Sequence, residues 1–265
     1  LRVINEKSHK SKIGIFQMAN FLRFFFLVLP IGFYSCNPVL YTNTSQNVSF
    51  LKKKGEISLS ANYTITSTKP LIPQADGFSF NGSAAVTDHF AVHGSYNWLK
   101  AKDSYVKYRG NYGELGLGCI SIFEEKGPEI FEVFTGIGYL NLKSQEDYPY
   151  ASDVIKGDYL KPYIQPTIGF SRDDQYFAFT PRVAYVHNLS YERSPLDSVE
   201  TAEIARFYSK DRLLFEPGVT IQVGHKKTRV RLQYVYSTFN FNSEYLFKPV
   251  NNHFISIGLT YMITR

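Results

Sequence analysis

Eight charged residues carry the most chemistry in this chain. Glu56, Glu114, Glu132 and Glu216 share a face with Lys161, Arg182, Arg229 and Arg231, all on the polar parity of segments that alternate polar and apolar residues. If that parity lines the inside of a narrow barrel, two kinds of chemistry are open to them: a charged constriction that selects solutes, or a salt-bridge network that fills the lumen and fixes the register. Four acids facing four bases favour the network, because unpaired charges in so tight a space are costly. The histidines are less productive. His93 falls on the polar parity of the third segment, His253 opens the last one near Ser256, and His89 and His225 sit in short turns. A hydrolase needs a histidine, a nucleophile and a carboxylate converging at one place, and an offset of three puts His253 and Ser256 on opposite faces of a strand. No metal-ligand spacing recurs. We therefore expect no catalytic set, no metal and no cofactor.

Of the two cysteines, Cys119 lies in a glycine-rich strand pattern and is assigned no chemistry. Cys36 is different, because it closes an apolar leader. From Met18 the chain has a short start with Arg23, an apolar stretch from Phe24 to Tyr34, then Ser35 and Cys36. That is the layout of a secretory signal over residues 18–35, too short to cross a bilayer as a helix. A small residue directly before the cysteine resembles the lipobox of bacterial lipoproteins, whose thiol becomes diacylated, although Phe33 and Tyr34 are bulkier than usual there. An ordinary signal peptide with an incidental Cys36 is the alternative. Residues 1–17 are polar and basic, which does not suit the start of a signal, and are read as an upstream extension. Residues 36–54 are then expected to be an N-terminal tether.

The formal charge of +6 is mostly a property of the leader, where Arg2, Lys7, Lys10, Lys12 and Arg23 face only Glu6. No basic stripe remains for nucleic acid. No apolar run is long enough for a spanning helix, so a membrane span would have to be built of strands.

Such strands are legible. Alternating segments fall at about 55–67, 77–86, 90–101, 110–123, 128–144, 159–171, 175–192, 212–224, 228–240 and 252–265. In the eighth, Phe215, Pro217, Val219, Ile221 and Val223 oppose Glu216, Gly218, Thr220, Gln222 and Gly224. The segments are long enough for tilted crossings of about 9–11 residues. Their connections are expected to alternate short and long, with 102–109, 145–158 and 193–211 among the long ones. Tyr63, Tyr96, Trp98, Tyr139, Tyr185, Tyr236 and Tyr261 stand near segment ends, as an interfacial girdle requires. The expected fold is an all-β, antiparallel up-and-down transmembrane β-barrel of about ten strands over 55–265. An even strand count puts both barrel ends, and with them the tether, on the periplasmic side. Pro162, Pro166, Pro181 and Pro217 fall inside segments, where bulges or kinks are expected to accommodate them. Residues 198–208 suggest a helical turn, and Asp197-Ser198-Val199 resembles a short O-glycosylation signal.

On the stretches Asn47 to Asn62, Ala84 to Val92, Gln165 to Phe170, Phe179 to Tyr185 and Phe215 to Pro217, the chain resembles small outer-membrane β-barrel proteins of Bacteroidota. That resemblance implies an outer-membrane location and a barrel fold, and it implies no reaction. The sequence thus points to a non-enzymatic outer-membrane β-barrel lipoprotein, structural or a narrow solute channel with an ion-paired lumen. Its partners would be outer-membrane lipids and small solutes. A membrane-embedded hydrolase and a soluble periplasmic binding barrel are the alternatives.

Overall fold

The computed structural model describes residues 41–42, 44–67, 75–102, 106–122, 130–148, 151–172, 174–193, 211–225, 227–239, 250–251 and 253–264. Cys36 and the leader, Ser198 and the segment 198–208 lie outside the described residues.

Ten long strands form the wall: β1 (Ile57–Ser67), β2 (Ala75–Ala85), β3 (Phe90–Lys102), β4 (Val106–Ile122), β5 (Ile130–Tyr148), β6 (Ala151–Arg172), β7 (Gln175–Arg193), β8 (Arg212–Val223), β9 (Thr228–Tyr236) and β10 (His253–Ile263). Each pairs antiparallel with the next, and β10 pairs with β1 over eleven residues from His253↔Ser67 to Ile263↔Ile57. The sheet therefore closes on itself and leaves no edge along this seam. The sequence reading of an up-and-down barrel of ten strands is the fold observed.

Alternation decides the two faces. On β8, Glu216, Gly218, Thr220 and Gln222 are buried in the lumen, whereas Leu213, Phe215, Ile221 and Val223 face outward and are exposed. The outward set continues around the wall with Leu115 at 72 % exposure, Leu117 at 61 % and Leu259 at 58 %. A soluble protein rarely exposes so continuous an apolar surface. From Phe177 to Tyr185 on β7 and from Leu213 to Val223 on β8, at about 3.3 Å per residue and a tilt of roughly 40°, the belt is about 20–25 Å tall, the height of an outer-membrane apolar band.

The upper edge of the belt is marked by one motif repeated on all five hairpins of one side. A tyrosine on the rising strand bonds a polar group on the descending strand, placed opposite the residue two positions further on. The pairs are Tyr63 to Asp76 (3.0 Å), Tyr96 to Asn111 (3.1 Å), Tyr139 to Asp158 (2.5 Å), Tyr185 to Asp211 (2.8 Å) and Tyr234 with His253 Nδ1 (2.8 Å). Each phenol keeps its ring against the belt and its hydroxyl at the polar boundary, the usual position of interfacial tyrosine. Phe90, Phe170 and Tyr261 mark the opposite edge.

Above the tyrosines the polarity of the wall inverts. Outward positions become Arg109, Asn141, Lys143 and Lys156, while Tyr108, Leu140, Leu142, Ile155, Tyr159 and Val186 turn inward and form one buried cluster. This corrects the loop expectations. Residues 145–158 are not a long loop: β5 and β6 continue to Tyr148 and from Ala151, and β4 begins at Val106. Their alternation persists with apolar residues inside, as in a water-soluble barrel, so the loss of outward apolar residues is not a turn signal. The strict alternation of short and long connections fails for the same reason.

At the prolines the ladders are interrupted. All four face outward, and the β6–β7 ladder lacks partners at Lys161–Pro162 and again at 165–167. The register shift lies elsewhere, between Asp158 and Tyr159, where Leu189 is the extra residue. The β8–β9 ladder is likewise interrupted at Glu216–Pro217, so missing donors leave gaps in the ladders beside the prolines.

Lumenal glycines make room for rings. At Gly138 a Cβ would run into the Tyr112 phenol, and at Gly136 into that of Tyr163. Gly138→Val should cost roughly 1–3 kcal/mol through overpacking. It should lower the temperature at which the folded band is lost in heat-modifiable gel migration, and an unchanged transition would refute this packing role.

Candidate functional site

The lumen is the site, and part of it was not foreseen. Residues Thr44 to Leu51, expected as part of an N-terminal tether, are all buried at 0–3 % exposure inside the barrel. The segment runs lengthwise. Leu51 packs with Ala85, Ala91, Ile120 and Met262 at the short-turn end, and Val48 and Phe50 pack with Ile130 and Ala178. Phe50 has φ +52°, a left-handed conformation that bends the chain there. At the other mouth Tyr41–Thr42 pairs in parallel with Val250–Asn251, in the connection between β9 and β10. The segment therefore runs from the mouth that carries the β9–β10 connection through the lumen and joins β1 at the opposite rim. Enclosure makes this favourable: every buried backbone group needs a partner, and the wall supplies them from all sides.

Those partners are specific side chains. Gln46 donates its N–H to Gln233 (3.0 Å), and its carbonyl accepts from Arg231 (2.6 Å) and Gln233 (2.9 Å). The Asn47 carbonyl accepts from Gln165 (2.7 Å), and its amide donates to the Gly82 carbonyl (2.9 Å). Ser45 donates its N–H to Asn97 (3.2 Å) and its hydroxyl to Asn81 (3.0 Å). The Glu132 carboxylate accepts the Ser49 hydroxyl (2.5 Å) and the backbone N–H groups of Ser49, Phe50 and Leu51. Glu56 accepts the N–H of Lys52 at 2.6 Å.

All eight residues singled out from the sequence lie buried in this lumen. The structure brings four of them together as two ion pairs. Arg182 forks onto Glu114 with bonds of 3.0 and 3.1 Å, and Lys161 meets Glu216 at 2.7 Å. The other four are not paired with one another by contact. Glu56 and Glu132 hold the threaded segment, Arg231 holds the Gln46 carbonyl, and Arg229 lies 3.6 Å from the centre of the Tyr176 ring. Sequence reasoning missed the threaded strand and the neutral groups that complete the network. Gln165 bonds Arg182, Tyr112 donates to Glu114 (2.6 Å), and Tyr163 meets His93 Nε2 at 2.5 Å. One signal was available: residues 37–51 contain no charge and are rich in Asn, Gln, Ser and Thr, unlike a tether kept in water.

The histidines do not converge. His93 is buried against Tyr163 and Phe134, and His253 bonds Tyr234 while Ser256 faces the lumen. His187, not singled out in the sequence, stacks on Tyr185 and shares Asp211 with it. The Asp211 carboxyl is held below the usual aspartate range by the His187 hydrogen bond first and the Tyr185 phenol second. Among the described residues, no group of His, Cys, Asp and Glu is arranged to hold a metal.

The fold and site together define a closed up-and-down barrel of the transmembrane type, threaded by its own N-terminal segment. No protein-family model matches the sequence, and no curated protein matches it. Among solved structures it is similar to the translocator domain of autotransporter NalP from Neisseria meningitidis, at 8 % identity over 78 % of this chain and 88 % of that one, with a TM-score of 0.47. It is also similar to the outer membrane protease OmpT from Escherichia coli (11 % identity, 79 % and 94 % covered, TM-score 0.44). A third is the outer membrane protein OprG from Pseudomonas aeruginosa (10 % identity, 80 % and 98 % covered, TM-score 0.34).

Proposed function

We propose that this protein is a non-enzymatic barrel of a Gram-negative outer membrane, kept closed by its own N-terminal segment, which it carries through the lumen to the outer mouth. The apolar belt and its tyrosine edge support the membrane setting. The carrying observation is the burial of Thr44 to Leu51 in the lumen, with Tyr41–Thr42 paired to Val250–Asn251 at the loop-bearing mouth. That mouth carries the two longest connections, 194–211 and 237–252, and the long loops of such barrels are the external ones, so we read it as the outer mouth. This reverses the periplasmic placement expected for the N-terminus. If Cys36 is acylated, its lipid then belongs to the outer leaflet.

An epitope inserted between Asn37 and Tyr41 tests the topology. Antibody should label it on intact cells; labelling only after the outer membrane is permeabilised would overturn the reading.

A hydrolase reading would use His187 and Asp211 on the outer wall. Among the described residues, Ser190 on the same strand gives its hydroxyl to Asp158 (2.7 Å) and not to that pair.

A further inference from the structure

The lipid-facing wall is not uniformly convex. Across β1 to β5 it is indented by a groove of ≈ 770 Å³ on the belt side. Its floor is made of small residues, Gly82, Ala84 and Gly94, and its banks are Leu59, Leu115 and Ile137. Gly82 and Gly94 lie directly opposite each other on β2 and β3, so the floor is lowest where the two strands meet. The lining is apolar and opens to the side, the shape that takes an acyl chain and excludes a polar ligand.

The groove also has a charged foot. Ile57 and Ala84 line its inner end. The chain arriving from the lumen crosses the rim just beyond them through Lys52, Lys53 and Lys54, all exposed. That crossing is fixed by several bonds: Gly55 N–H to the Ala85 carbonyl (2.9 Å), Lys54 N–H to Asp88 (2.9 Å), Glu56 N–H to the Lys53 carbonyl (3.3 Å) and Lys52 N–H to Glu56 (2.6 Å). The lysines are thus held at one height, where the belt meets the inner surface. Apolar groove and cationic foot are different kinds of feature, and they adjoin at the start of β1, where Gly55 is bonded to Ala85 beside the lining residue Ala84.

We propose that this face binds one anionic phospholipid of the inner leaflet, with an acyl chain in the groove and the phosphate on Lys53 and Lys54. The proposal rests on the membrane reading above. A zwitterionic lipid fits the groove equally well but gains less from the foot, so charge sets the preference and shape sets the retention. The threaded segment acquires a second consequence: the run that closes the lumen delivers the lysines to the rim.

The test uses the full chain refolded into vesicles containing phosphatidylcholine and phosphatidylglycerol in equal amounts, then released into mild detergent and weighed by native mass spectrometry. The unaltered chain should retain one phosphatidylglycerol in preference to phosphatidylcholine. Lys53→Gln with Lys54→Gln should reduce that preference by roughly fivefold per lysine, the effect of one basic side chain near an anionic surface, while some lipid stays bound. Gly82→Leu should empty the groove of either lipid. A Cβ at Gly82 meets only Leu59, at 3.4 Å, so this variant should retain heat-modifiable migration. Equal retention of the two lipids by the unaltered chain, or retention unchanged in both variants, would overturn the proposal. A chain that inserts into neither lipid would overturn the membrane reading itself.

Discussion

Replacing Arg182 with alanine should destabilise the barrel by about 3–5 kcal/mol, the cost of leaving a buried carboxylate without its partner. Glu114 and Arg182 are both fully buried and joined by a forked pair of bonds, so no water is at hand to take over the role of the guanidinium. Gln165 would lose its partner as well, and through it the hold on the Asn47 carbonyl would loosen. Urea unfolding in vesicles of fixed composition would read the loss. Arg182→Met combined with Glu114→Met should recover most of it, because an apolar pair of similar volume leaves no buried charge behind. A single variant within about 1 kcal/mol of the parent would mean that the pair is solvated and that the lumen is wetter than the geometry implies.

The second large effect concerns closure. A chain lacking residues 37–51 should conduct ions in a planar bilayer, whereas the full chain should not. The deletion removes the polypeptide that occupies the lumen and takes Leu51, Phe50 and Val48 out of the two clusters at the short-turn end. It also strips partners from Arg231, Gln233, Glu132 and Gln165. Side chains deprived of bonds in a polar cavity recruit water, and a continuous file of water carries current. Silence from the deleted chain at every voltage would assign closure to the aromatic cluster above, formed by Tyr108, Tyr112, Tyr159 and their aliphatic neighbours. The threaded segment would then be a passenger of the barrel and not its stopper.

The two predictions differ in how far the sequence anticipates them. Glu114 and Arg182 were legible as members of a lumenal set, because period two assigns each residue to a face. Their pairing was not, since parity says nothing about height: they are 68 residues apart and belong to β4 and β7. Burial of Thr44 to Leu51 had no periodic signature at all. A strand in a sheet buries one face, but a segment enclosed by a barrel buries every face, so Val48, Ser49 and Phe50 are equally inaccessible. Only the absence of charge hinted at it. The wall was read as strand through Asn141 and Lys143 but given up after Ser144, although β5 runs on without interruption to Tyr148. Tyr63, Tyr96, Tyr139 and Tyr185 were noticed as aromatics. Their partners Asp76, Asn111, Asp158 and Asp211 recur on each neighbouring strand about two positions beyond the tyrosine, a regularity visible only once the register is known.

The inversion of polarity along β4 to β7 has a consequence for any scale that averages over residues. In the lower tier the greasy side chains point out and the polar ones in; in the upper tier the assignment is exchanged. A mean hydropathy of −0.20 does not register the exchange, because an average over residues is blind to the face each side chain takes. The chain belongs to two solvents in sequence, and the level of Tyr139 and Tyr185 is where one wall passes from oil to water without changing its backbone.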